Sequence, residues 1–545
     1  MHSQSFTKCP ELAMTRREFG GNLLRGLGGA ALATTLRPLD ALASGEALSG
    51  AECKPNIILV LSDQHAYKYC GFMGHPVVRT PNLDKIAASG VVFRSTYCGS
   101  PVSAPSRAGM ISGVYPSDCN SFCNSTAWDG GIPAWPVLMR DAGYHTFGAG
   151  KMDAHDNFDL GFNESMNIIN SHWKKPDITS LFRRPLCIRP TARNQVDGRS
   201  RTTPHRDAQV VKATEEFIRR QRADGKPWVA YCGVHAPHDP FTGLEKYYDY
   251  YLSRVDMPEV ENEELERQHI VFTQMRYHKN LGTPIPAERI RRARAGYYAM
   301  ITELDEHIGR LWAALEETGQ LENTIFVYTS DHGESLGDHG LWLKNNLYDV
   351  AARIPMVVAG ANLPRGVTVD TPVAHVDLIR TFLEWGGAEA HGRLRGHSLA
   401  SLMHGRAGGH PGWAYSESHS EGNSTGSFMI RKGDWKYIHF TWYDGLLYNL
   451  AEDPGELKNR IADPSVRDVL KELREILHAE VDPVALTEKA FRLQRERMDE
   501  LASTRTEVQM LDLLSSRLGE GQSVALLNAY YGRTFAYMPE GPKKH

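Results

Sequence analysis

The chain has 545 residues, 41% hydrophobic and 23% charged, with a formal charge of −4 at pH 7. That is enough apolar material for a sizeable core, and 49 Gly and 29 Pro scattered without period exclude collagen-like order and bulk disorder. A slightly acidic chain without a basic stripe carries no electrostatic footprint for nucleic acid, which is not expected as a partner.

Residues 1–43 read as a leader. Thr15-Arg16-Arg17-Glu18-Phe19 precedes a Gly/Ala/Leu stretch from Leu23 to Leu36, and Ala41-Leu42-Ala43 follows. A basic start, a short apolar run and a small-residue cleavage site describe a signal peptide, and the paired arginines make it a twin-arginine one. Arg25 interrupts the run, so a membrane span, which needs about 20 apolar residues, is not expected. The expected location is the bacterial periplasm or another exported compartment, reached by the twin-arginine route.

Residues 52–407 alternate strand and helix patterns. Asn56 to Leu61 is a β-branched run that ends at Ser62-Asp63, read as a buried strand. Thr80-Pro81-Asn82 opens a helix through Ser89, and Val91 to Phe93 is a short strand. Further strands are expected at Trp228 to Val234, Thr324 to Tyr328 and Ile354 to Val358, with helices over Arg206–Arg222, Glu288–Thr318 and Val376–Trp385. The alternation predicts an α/β fold: a large, doubly wound, mostly parallel sheet sandwiched by helices.

Residues 408–545 have a different texture. Phe428 to Arg431 and Trp435 to Ile438 flank Lys432-Gly433-Asp434, a hairpin signal, and Leu446 to Leu450 reads as another strand. A helix from Val466 to Leu477 and a charged, helix-rich tail to about Leu518 complete a smaller C-terminal α+β domain with a helical extension. There are 8 cysteines, too few for a disulfide scaffold. Cys119 and Cys123 either clip a local loop or sit as buried thiols, and no zinc set is completed near them.

In doubly wound sheets function gathers at the carboxyl ends of strands. Asp63-Gln64 follows one expected strand and Asp331-His332-Gly333-Glu334 another. Carboxylates with an amide oxygen suit Ca²⁺ or Mg²⁺, and the imidazole admits Mn²⁺. Two unrelated helix caps account for the same residues equally well.

Ser103-Ala104-Pro105-Ser106-Arg107, followed by Ser112-Gly113, tips that balance. With these residues the chain resembles the type I, formylglycine-dependent sulfatases of the alkaline phosphatase superfamily, whose signature is Cys or Ser, any residue, Pro, Ser, Arg, then Thr-Gly. Ser112 replaces the Thr. The resemblance runs through Pro55 to Gln64, Gly150-Lys151-Met152, Pro237-His238-Asp239-Pro240-Phe241, Tyr297 to Arg310, Tyr328 to Lys344, and Leu447 to Leu450 with Asp453-Pro454-Gly455-Glu456. It implies an alkaline phosphatase-like mixed sheet. It also implies that Ser103 is converted to Cα-formylglycine, in the serine-type version matured by a radical-SAM sulfatase-maturating enzyme.

The resemblance further implies a division of labour. Asp63, Gln64, Asp331 and His332 would hold the cation, Ca²⁺ for preference, with residue 103 among its contacts. Arg107 would stabilise the oxygens of the formylglycine hydrate, the nucleophile at sulfur. Lys151, His238 and Lys344 would grip the sulfate oxygens as charge spreads over them. The expected reaction is hydrolysis of a sulfate monoester on a sulfated small molecule or glycan, most plausibly a carbohydrate.

One position departs from the family. Where a His usually follows the Gly-Lys element by two residues, this chain has Asp153, with His155 two further on. Either His155 swings in, or Asp153 serves as base, or the step is weakened; a solvated loop accounts for both residues too. His235 is expected to pack in register with its strand. His339 and His419 either line the cleft or are structural. The aromatic residues Trp435, Tyr437, Phe440, Trp442 and Tyr443 suit hairpin core better than sugar stacking. Two rival readings keep the fold: a phosphonate or phosphate ester hydrolase on the same site, and a non-catalytic sulfoglycan-binding protein.

Overall fold

The structure is a computed structural model and describes residues 54–532, apart from 171–175, 184–186, 223, 224, 259, 261 and 407. The leader assigned to residues 1–43 lies outside the described residues. Among those described, no helix is long and apolar enough to cross a membrane.

The first strands in chain order are β1 (Asn56–Ser62), β2 (Gly90–Tyr97), β3 (His145–Lys151), β4 (Glu164–Ile169), β5 (Gly198–Arg201) and β6 (Trp228–Gly233). They are followed by β7 (Phe241–Leu244), β8 (Thr324–Ser330), β9 (Arg353–Gly360), β10 (Val367–Val369) and β11 (Val373–Ala374). β5 and β7 pair apart from the rest. The others form one 9-stranded sheet in the order β10-β2-β9-β8-β1-β6-β3-β4, with β11 also on β2. Every pairing from β8 to β4 is parallel, whereas β9 runs antiparallel to both its neighbours and makes the sheet mixed.

The two faces of β1 show why this run is a central strand. Ile57, Leu59 and Leu61 pack with Ile111, Trp135 and Phe382 on one side. Ile58 and Val60 pack with Phe217, Leu304 and Leu311 on the other. Side chains alternate across a strand, so only a wholly apolar run serves a sheet covered on both faces. The covering helices include Asp207–Arg220, Ala287–Glu317 and His375–Gly386, each within two residues of its expected bounds.

β3 was not among the expected strands, and its glycines explain why it exists. Gly150 has φ +86°, and a Cβ there would lie 2.0 Å from the Gly233 carbonyl oxygen. A Cβ on Gly233 would in turn lie 2.2 Å from the Lys151 oxygen. The end of β3 thus lies hard against β6, which fixes Lys151 beside the strand that leads to His238.

The expected C-terminal hairpin is part of a 4-stranded antiparallel sheet of β12 (Trp413–Ser418), β13 (Ser427–Lys432), β14 (Trp435–Phe440) and β15 (Tyr443–Asn449). Leu470, Leu473, Leu477 and Leu486 of the following helices pack on it. The last helices, Glu507–Leu518 and Glu520–Tyr530, pack with Ile178, Leu181 and Cys187, so the chain end and the segment after Asp177 share one apolar cluster. Tyr437 and Phe440 are core, whereas Trp442 is half exposed. Cys70, Cys98, Cys119, Cys123, Cys187 and Cys232 are all buried free thiols, which settles the Cys119–Cys123 alternative.

Candidate active site

β1 and β8 pair in register to their last residues, Ser62 opposite Ser330. The next residue of each is an aspartate, so Asp63 and Asp331 leave the sheet together, and both are fully buried. Asp63, Asp331 and His332 each offer one ligand atom, and these atoms lie within 4.8 Å of one another. Asp63 Oδ1 has no hydrogen-bond partner and sits 3.8 Å from His332 Nε2. An orphaned, buried carboxylate oxygen facing a second carboxylate and an imidazole nitrogen fits a divalent cation, and it disfavours the reading of two helix caps.

The tautomer of His332 agrees. Its Nδ1–H donates to the Gly333 carbonyl (2.9 Å), which leaves the Nε2 lone pair for Ser103 Oγ–H (2.9 Å) or for a metal. Burial pushes this imidazole down to about 4, so it is neutral at physiological pH. Burial pushes the Asp63 carboxyl up, but Lys151, His238, Arg107 and Lys344 outweigh it and hold it well below the usual carboxylate range. Asp331 is also lowered: burial and Asp63 raise it, and His332, Arg107 and Lys151 prevail.

Gln64, the remaining expected cation ligand, has its amide held in one orientation. Its Nε2 donates to Glu334 Oε2 (2.5 Å) and Asp239 Oδ1 (3.4 Å), so Oε1 is turned the other way, where Lys344 Nζ donates to it (2.6 Å). Glu334 also accepts the Leu336 and Leu343 amides on Oε1, and burial raises its carboxyl to about 7.

Ser103 begins the Ser103–Ser112 helix but does not cap it. The N-cap is Val102, and Ser103 Oγ is engaged by His332 instead. Arg107, one turn on, donates from Nε to Asp331 Oδ2 (2.8 Å) and from an amino nitrogen to the Lys151 carbonyl (2.7 Å). Tyr231, which the sequence reading missed, supports the same point: its hydroxyl donates to the Lys151 carbonyl (2.5 Å) and accepts from Arg107 (3.0 Å).

Lys151 Nζ pairs with Asp63 and, at 3.1 Å, with Asp153. Burial works against the Lys151 charge, yet Asp153 and Asp63 raise its pKa overall. Asp153 is wholly buried at φ 55°, so it is not a solvated loop residue. His155 is directed elsewhere: its Nδ1 accepts the Asn157 amide and its ring meets Phe158. His238 donates from Nδ1 to the Asp239 carbonyl (2.6 Å) and accepts Lys344 Nζ on Nε2 (2.8 Å). Burial and Lys344 hold it well below its usual pKa.

Ten residues of interest thus converge, and His155 does not: the ten are Asp63, Gln64, Ser103, Arg107, Lys151, Asp153, His238, Asp331, His332 and Lys344. His339 stacks on Tyr348 and pairs with Glu264, and His419 lies against Glu417, Phe122 and Phe428; both are structural. His235 lies two residues past the end of β6 rather than in register with it; its main-chain amide donates to the Asp207 carboxylate and its ring meets that of His238. Glu334 and Tyr231 are the positioning residues that motif spacing alone did not single out.

The sulfatase family model matches residues 55–388. The chain belongs to the sulfatase family. It is therefore a sulfuric ester hydrolase, and a second model, N-sulphoglucosamine sulphohydrolase C-terminal, matches residues 337–482 of this sulfatase. Among curated proteins it is similar to arylsulfatase K of Danio rerio, 30% identical over 466 residues, covering 81% of this chain and 87% of the relative. Arylsulfatase K of Homo sapiens is 29% identical over 443 residues, covering 76% and 80%. Of solved structures, a phosphonate monoester hydrolase of Agrobacterium radiobacter shares the fold at TM-score 0.65 and 24% identity, covering 80% of this chain and 96% of that one. A protein in complex with its substrate D-glucosamine-2-N,6-O-disulfate does so at TM-score 0.64 and 21% identity, covering 81% and 98%.

These relatives correct the expected location. The arylsulfatase K sequences come from animals, which are not bacterial twin-arginine exporters, so the periplasmic, twin-arginine assignment is withdrawn.

Proposed function

We propose that this sulfatase hydrolyses a sulfate monoester on a sulfated carbohydrate, with residue 103 acting as Cα-formylglycine. The observation that carries the reading is the joining of Ser103 to His332 beside the orphaned Asp63 oxygen: the residue to be modified and the cation donors occupy one buried spot. Formylglycine supplies a gem-diol nucleophile, which a serine hydroxyl cannot match because it lacks the second hydroxyl needed to release sulfate. A divalent cation, Ca²⁺ for preference with Mn²⁺ or Mg²⁺ as substitutes, would be held by Asp63, Gln64, Asp331 and His332 and would supply Lewis acidity at a sulfate oxygen.

The chain's own groups divide the remaining work. Arg107 is locked by Asp331 and the Lys151 carbonyl, so its fixed charge faces the residue-103 oxygens without reorganising. Lys151, the last residue of β3, and Lys344, in the loop between β8 and β9, balance the negative charge of the sulfate oxygens. His238 acts as the third sulfate contact in its Nε2-protonated form; in the neutral form its Nδ1–H goes to the Asp239 carbonyl and its Nε2 accepts Lys344 Nζ, which aims that ammonium. Asp153 takes the position the family gives to His; we assign it to keeping Lys151 charged and aimed, and to accepting the proton of the hydrate. A radical-SAM maturase is the proposed source of the modification at Ser103.

The carbohydrate assignment is supported by the disulfated glucosamine bound to a protein of the same fold. The phosphonate reading is favoured by one neighbour of that fold, a phosphonate monoester hydrolase. Turnover of an aryl sulfate beside the matching aryl phosphonate separates the two. Sulfate preferred in kcat/KM is the expected result, and phosphonate preferred would overturn it.

A further inference from the structure

Lys279 follows the Ile270–His278 helix, is 2% exposed, and belongs to none of the motifs that define the site. Its Nζ donates to two main-chain carbonyls, that of Trp342 (2.9 Å) and that of Lys344. Between and beyond those carbonyls the backbone is strained: Leu343 has φ 63° and Asn345 φ 85°, left-handed values that non-glycine residues seldom adopt. Such a stretch persists only where its surroundings over-determine it. Glu334 supplies one restraint through the Leu343 amide (2.7 Å), the Ser335 amide holds the Leu343 carbonyl (2.9 Å), and the Pro101 carbonyl holds the Asn345 amide (3.0 Å). Lys279 adds two more from the carbonyls on either side of Leu343.

The same corner is tied to a second segment. His278 Nδ1–H donates to the Cys187 carbonyl (2.6 Å), and the His278 carbonyl accepts the Arg189 amide (2.6 Å). Arg189 pairs with Glu421 (2.6 Å), Glu421 accepts from Asn124 (3.3 Å), and Asn124 accepts the Ala104 amide next to Ser103 (3.2 Å). One helix end thus fastens both the Lys344 loop and a chain of contacts that reaches the start of the Ser103 helix.

We propose that Lys279 is a positioning residue for sulfate binding: its ammonium fixes the Trp342–Lys344 backbone so that Lys344 Nζ stands between Gln64 Oε1 and His238 Nε2, aimed at the anion. Burying an ammonium against carbonyls is costly, and an apolar side chain would fill the volume more cheaply. The geometry accounts for the cation, since only a multiple N–H donor reaches both carbonyls at once. Burial pulls the Lys279 pKa down to about 7, with Glu421 and Glu334 acting against that fall. This inference rests on the functional reading, in which Lys344 contacts sulfate.

The test compares matured full-length wild type with Lys279→Met, Lys344→Met and the double variant, reading aryl sulfate kinetics, the inhibition constant of inorganic sulfate, and Tm. Each single substitution is expected to raise that inhibition constant by about tenfold or more. The double variant is expected to bind sulfate no worse than Lys344→Met alone, a non-additivity that a purely structural lysine would not produce. Wild-type affinity for sulfate in Lys279→Met, or losses that multiply in the double variant, would overturn the proposal. Should Lys279→Met not fold, Lys279→Gln, which keeps a donor for one carbonyl, carries the same comparison. A wild type that neither hydrolyses aryl sulfate nor binds sulfate overturns the functional reading and this inference with it.

Discussion

Asp63 and Asp331 are brought together by register: the residues before them, Ser62 and Ser330, are the last paired residues of two parallel strands. Two like charges are therefore delivered to one buried point, where the cationic side chains of Arg107 and Lys151 face them at 3.7 Å or less. Asp63→Asn or Asp331→Asn is expected to lower metal content to background and kcat/KM by at least about a hundredfold. Metal analysis of the purified protein beside turnover checks both; a variant that keeps its metal contradicts the assignment.

Chelation tests the same donors from the ligand side. A cation that binds only the folded chain raises Tm by mass action. Treatment with a chelator is expected to lower Tm and abolish turnover, and Ca²⁺ is expected to restore both. Unchanged Tm and turnover after exhaustive chelation would remove the cation from the account.

The departure at Asp153 gives a direct contrast. Asp153 is buried on Lys151, whereas His155 is turned to Asn157. Asp153→Ala is expected to lower kcat/KM by about a hundredfold. His155→Ala is expected to stay within about twofold of wild type. The reverse order would move the proton-accepting role to His155.

The strands that place Asp63 and Asp331 were legible because β1 and β8 are unbroken apolar runs, which only a sheet buried on both faces requires. β3 was not, because Gly148 and Gly150 read as strand breakers; Gly148 makes room for the Phe162 ring, and Gly150 for β6, far away in sequence. The same applies to the site. Ser103, Arg107, Lys344 and His332 sit in local motifs, and the resemblance to the sulfatases carried by those motifs pointed to them. Tyr231 and Lys279 act through main-chain carbonyls some 80 and 65 residues distant, and no local pattern encodes such contacts. Gln64 was visible, but what orients its amide, Glu334 and Asp239 on one side and Lys344 on the other, was not.

Stability should fall in mild acid. Burial lowers His65 and His375 to about 4 and His278 to about 3, against ordinary values near 6.5. Between pH 6.5 and 4 the unfolded chain binds these protons and the folded chain does not, so each group removes up to about 1.4 kcal/mol per pH unit as pH falls. Tm is expected to decline steadily from pH 6.5 to 4 and to level off above 6.5 as far as these groups are concerned. A flat Tm over that window would contradict their burial in the neutral form.

The central claim is that residue 103 is not serine in the working enzyme. Mass spectrometry of the peptide spanning Ser103, on protein produced with a maturase and active on an aryl sulfate, tests it most directly. The account predicts a mass lower by two hydrogens in the active protein, with activity proportional to the modified fraction. Full activity in protein whose Ser103 is unmodified would contradict it.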